Sequence, residues 1–171
     1  MRNSQIRFIQ QQGFTGTGFP ESLYSALMFQ PRVVGVAAIA GGLLKSPWLF
    51  VTLGAALLWS ASVPSLSLFD AIYNHAVAYR RGSSPLDPAP APRRFAQGLA
   101  GTVALVIGLA FLIGATAVGW GLEVLLLVGS VTAVARDACA GANLYHLLRR
   151  LMASRVTSTH LPPSTPLGRH S

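Results

Sequence analysis

The sequence predicts an all-α, polytopic membrane protein with four transmembrane helices in two hairpins, accompanied by short amphipathic helices at the interface. Three observations lead there. Apolar residues make up 51% of the 171-residue chain and charged residues only 11%, against roughly 25% charged in soluble globular domains. The run from Phe95 to Ala115, FAQGLAGTVALVIGLAFLIGA, contains no charge, and as a helix it rises about 30 Å, the thickness of the bilayer hydrocarbon. The charges also segregate along the chain in a way that fits one topology, as set out below.

The second hairpin is the clearer one. After Phe95–Ala115, a Gly/Thr-containing turn over 114–119 leads into Gly119–Ala135, where Glu123 is the only charge. The two helices should be antiparallel neighbours. The first hairpin comprises Val33–Leu44 and Trp48–Val63, separated by KSP, where Pro47 lacks an amide donor and Lys45 prefers water. Its first arm is short, because the twelve residues between Arg32 and Lys45 reach only about 18 Å as helix. Such a span needs snorkelling at both ends, local thinning of the bilayer or a re-entrant path.

The resulting organisation is an N-terminal cytoplasmic segment with an interfacial helix (1–31), the first hairpin (32–63) and a cytoplasmic connection (64–94). A second hairpin with an extended last helix (95–150) and a disordered cytoplasmic tail (151–171) follow. Pro20 and Glu21 suit the start of a helix carrying Leu23, Tyr24, Leu27 and Met28, which Pro31 should end. The connection opens with a Ser67-x-x-Asp70 capping pattern that places Phe69, Ile72, Tyr73 and Ala76 on one face. Its proline-rich part, 82–92, reads as an extended strap. No apolar core follows Arg2 and Arg7 early enough for a secretory signal peptide, so the N-terminus is expected to be retained.

The net charge of +8 is compatible with nucleic acid, an anionic membrane surface or the positive-inside bias. Its placement decides. In the four-span arrangement twelve of the thirteen basic residues lie on the side of the termini and only Lys45 lies opposite. That side is therefore expected to be the cytoplasm, and Trp48 and Trp120 both fall at outer span ends. The basic residues do not accompany aromatic platforms in a soluble domain, so nucleic-acid binding is not expected.

Few residues offer chemistry. No catalytic constellation and no metal-spaced group is evident, and no cofactor is implied; one cysteine forms neither an internal disulfide nor a cysteine cluster. His75 and His146 read as half-solvated interfacial residues. If the last helix continues past Arg136, then Arg136, Cys139, Asn143, His146 and Arg150 share a face, a candidate partner or ligand surface with Cys139 as a candidate redox group. Folding the second hairpin about its turn sets Arg93 and Arg94 level with Asp137, which predicts an ion pair. Glu123 is an acid inside an apolar span and hence a functional suspect. Gly101, Ala104 and Gly108 line one face of the third span, as close helix packing in lipid requires.

Four stretches also resemble a known family: SALMFQPRVVG, FDAIYNHAVA, PAPRRFAQGLAG and CAGANLYHLLRR. They resemble a bacterial integral-membrane family catalogued as domain of unknown function 4395, over about residues 6–150. The resemblance implies a four-helix polytopic protein of the bacterial cytoplasmic membrane without an assigned reaction. Many such relatives carry Cys-x-Gly-Cys where this chain has Cys139-Ala140-Gly141-Ala142, so the second thiol of any dithiol chemistry is missing here.

Together these readings predict a non-catalytic accessory or scaffold subunit, embedded in membrane lipid and packed against other integral membrane proteins. A respiratory or photosynthetic energy-transducing complex is one such setting. Its rivals are a thiol redox or sulfur-transfer helper using Cys139, and a small transporter using Glu123.

Overall fold

A computed structural model describes residues 1–16, 18–75, 79 and 87–159. The described chain is helical without strands: α1 (Asn3–Gln11), α2 (Glu21–Leu43), α3 (Pro47–Ser62), a 3-10 turn (Pro64–Leu66), α4 (Leu68–Tyr73), α5 (Ala91–Leu112), α6 (Thr116–Arg136) and α7 (Ala140–Thr159). The expectations for Ala76, for 82–86 of the strap and for 160–171 of the tail lie outside the described residues. Three helices, α2, α5 and α6, are long and apolar enough to cross a membrane, and α3 is a shorter apolar helix.

The helices pair through small residues. A side chain at Gly54 or Gly101 would strike the facing helix of the α3–α5 pair, and one at Gly108 would meet Val51 and the Pro47 carbonyl. Ala104, between them on α5, is fully buried. Gly35 faces Ser130 and Gly42 faces Glu123 across α2 and α6, so these two run in opposite directions. The turn from α5 to α6 is closed by the Ala115 amide donating to the Ala110 carbonyl at 2.8 Å, with Gly114 at φ +80°. That left-handed position is one glycine adopts without a Cβ penalty. Phe50, Leu57, Ala104 and Ile107 fill the centre, while Val36, Leu43, Leu109, Val124 and Val131 point outward. Lipid is the solvent that tolerates such a surface.

Pro31 does not end the N-terminal helix. It lies inside α2, which runs unbroken through 23 residues, or about 35 Å, so the short arm expected over 33–44 is one part of a full-length helix. An interior proline forfeits a backbone hydrogen bond at about 3 kcal/mol, and burial of Leu27, Met28 and Val34 on either side offsets that loss. The last helix, in turn, is not continuous. Asp137 adopts the left-handed conformation, φ 52°, and separates α6 from α7. Residues 151–159, expected within the disordered tail, are helical as part of α7, in keeping with the good helix formers Leu151, Met152 and Ala153.

Candidate functional site

One end of the bundle gathers the polar groups. There α1 lies across the start of α2, burying Phe8 and Ile9 against Leu27 and Met28, with Cys139 packed beside them. The α1 end is latched to α7: the Cys139 amide donates to Gln11 Oε1 at 3.3 Å, and His146 Nε2 lies 3.0 Å from the Gln11 carbonyl. Helix α7 folds back on α5, Gly141 approaching Ala96 so closely that a side chain would overlap it. Phe95 and Tyr145 meet at the same contact with tilted rings, their centroids 5.8 Å apart.

At the centre of this end sits a buried polar chain. Ser67 Oγ accepts the Asp70 amide, so the serine half of the expected capping pattern forms. The Asp70 carboxylate is used elsewhere: it receives Arg93 Nη2 at 2.5 Å. Gln97, one turn further along α5, donates to Gln30 Oε1 of α2 at 2.8 Å. Asp70, Arg93 and Gln97 are 7%, 3% and 1% exposed. Nevertheless Asp70 Oδ2, Arg93 Nη1 and Gln97 Oε1 have no hydrogen-bond partner among the described residues.

The expected pairing of Asp137 with Arg93 or Arg94 is therefore corrected. Arg93 pairs with Asp70, Arg94 Nε donates to the Ala61 carbonyl at 2.8 Å, and Asp137 accepts the Tyr24 hydroxyl. Turn arithmetic sets the level of a residue along a hairpin but not the direction it faces. The shared polar face is corrected likewise. The break at Asp137 takes Arg136 out of register, leaving Asn143 and Arg150 exposed on α7 and His146 half-buried. Cys139 is a free, half-buried thiol, and Ala142, where the second thiol would stand, is fully buried. His75 is exposed, and no group of three metal-ligating side chains occurs among the described residues.

Glu123 does not reach outward to the interface. It is 4% exposed, lies against Gly42 where any side chain would collide with its carboxylate, and its Oε2 has no partner among the described residues.

Two features were missed from sequence. A cavity of about 340 Å³ lies between α5 and α6, backed by Gln30, Pro31 and Val34 of α2, with Arg93, Gln97 and Cys139 at its polar end. On the outer side of α6, Ala117 and Gly121 are both exposed, and no described residue lies within 4 Å of a β-carbon placed at Gly121. The spacing small-x-x-x-small was legible for that pair, although only packing distinguishes an outer face from an inner one.

A helical protein of the membrane-spanning kind, with a buried polar cluster at one end of an apolar bundle, is the class these features define. The family profile described as Domain of unknown function (DUF4395) matches residues 25–150, well over half of the chain, and the protein belongs to that family. No curated protein and no solved structure matches it.

Proposed function

We propose that the protein is a four-span integral membrane protein of the bacterial cytoplasmic membrane, with both termini cytoplasmic, and that it is a non-catalytic accessory subunit stabilising a larger membrane complex. The topology is supported by the antiparallel pairing of α2 with α6 and the packing of α3 along α5. It is also supported by the position of Lys45 in the turn opposite the end that holds Arg93, Arg94 and Arg136. Reporter fusions within 82–92 and after Ser171 are both expected to read as cytoplasmic; an external signal at either position would refute the four-span arrangement.

The observation that carries the accessory role is the outer face of α6. Ala117 and Gly121, one turn apart, continue into exposed Val124 and Val131. Lipid does not require small residues there, whereas close approach of a second helix does. Gly121→Leu should leave the fold intact, because no described residue lies within 4 Å of a β-carbon there. Co-purification of the partner complex from native membrane in mild detergent should fall at least about tenfold, a loss of about 1.4 kcal/mol in contact energy. An undiminished complex, or a wild-type protein extracted without any stoichiometric partner, would overturn the role.

A further inference from the structure

We infer that the cavity between α5 and α6 is a binding site for an uncharged amphiphile, whose head carries a hydrogen-bond acceptor beside a hydroxyl donor and whose single apolar chain lies between the helices. At about 340 Å³ the cavity falls within the roughly 300–1,000 Å³ of ligand sites. Its walls are apolar over most of their length, with Leu99 and Val103 on α5 and Leu125 and Val128 on α6. Leu99, Leu125 and Val128 are also exposed on the outside of the bundle. The groove is thus open sideways, toward the medium that covers the apolar helices, which is the route by which a chain would enter.

The polar end determines the head. Arg93 and Gln97 line the cavity, are almost completely buried, and leave Arg93 Nη1 and Gln97 Oε1 without a partner among the described residues. A buried donor or acceptor without a partner costs about 1–3 kcal/mol. A head with an acceptor for the guanidinium nitrogen and a hydroxyl for the amide oxygen would satisfy both. The charge of Arg93 is already met by Asp70 at 2.5 Å, and among the described residues no other charged side chain lines the cavity. An anionic head would compete with Asp70 and leave a second buried charge uncompensated, whereas an uncharged head costs nothing of that kind. Gly129, on the α6 wall, has no described residue within 4 Å of a β-carbon position, and so keeps the groove wide.

Two sources supply this chemistry, a monoacylglycerol-type lipid and a prenylated hydroquinone, and one experiment separates them. The full-length protein is purified in a zwitterionic detergent whose head carries no hydroxyl and offered radiolabelled monooleoylglycerol, geranyl hydroquinone, oleate and octadecane, each measured by retention on the immobilised protein. Wild type should retain one or both of the uncharged hydroxyl-bearing probes at near one per chain, the better one naming the source. Gly129→Phe, which fills the groove from its open wall, should retain at least tenfold less with an unchanged unfolding midpoint. If that variant does not accumulate, Thr132→Phe on the same wall makes the same test. Retention of oleate or octadecane equal to the hydroxyl-bearing probes, no retention of either hydroxyl-bearing probe, or undiminished retention by the filled variant would each overturn the assignment. Gly129 is not part of the Ala117–Gly121 pair, so this result stands apart from the partner reading.

Discussion

Arg93→Met should destabilise the folded protein by about 3–5 kcal/mol, because it leaves the Asp70 carboxylate buried without its counter-charge. The pair joins the short α4 to the start of α5, so its loss also releases the segment that closes the polar end of the bundle. The double replacement Arg93→Met with Asp70→Leu should recover most of the loss, since exchanging a whole buried pair for apolar side chains is often neutral or stabilising. Unfolding of the detergent-solubilised protein, followed by denaturant titration, measures both. An Arg93→Met protein as stable as wild type, or a double variant no better than the single one, would show that the pair does not hold this end together.

The second large effect is expected at Gly54→Val. A β-carbon there would sit 2.8 Å from the Gly101 carbonyl oxygen and 2.8 Å from the Leu105 amide nitrogen, both backbone atoms that cannot rotate away. Overpacking of a well-packed core costs about 1–3 kcal/mol when side chains can adjust, and here the α3 and α5 backbones must separate. A loss at the upper end of that range or beyond should follow, with poor accumulation in the membrane. Gly98→Ala is the control, because its nearest neighbour, the Ala61 β-carbon, is 3.8 Å away, and it should accumulate normally. Equal accumulation of the two variants would mean that the α3–α5 contact is looser than these distances.

These contrasts show where the sequence was informative. The helices over Ala91–Leu112 and Thr116–Arg136 were legible because an uninterrupted apolar run leaves lipid as the only acceptable surroundings. The first long helix was misread at Pro31 and Arg32, since a proline beside a charge usually ends a helix, and only the buried residues on both sides hold this one together. Helix α1 carried no expectation at all: Phe8 and Ile9 are two apolar residues in a polar segment, and their burial depends on α2 lying beneath them. Gly101, Ala104 and Gly108 were singled out by spacing, and the structure places them against α3. The partner of Arg93 was hidden because Asp70 reaches it across the proline-rich connection, and no helical period relates the two positions. Cys139 and Glu123 were noticed for their rarity. Their surroundings, an apolar cluster for the first and the bare backbone of Gly42 for the second, are properties of the fold.

The bond from Tyr24 to Asp137 spans 113 positions of the chain, and that from Gln30 to Gln97 spans 67. During synthesis α2 leaves the ribosome long before either partner exists. The first long helix therefore waits for the partners of two of its polar groups, which later parts of the chain supply. Maturation is consequently ordered from the far end: the chain reaches its resting arrangement only when its last turn, at Asp137, returns to its first long helix.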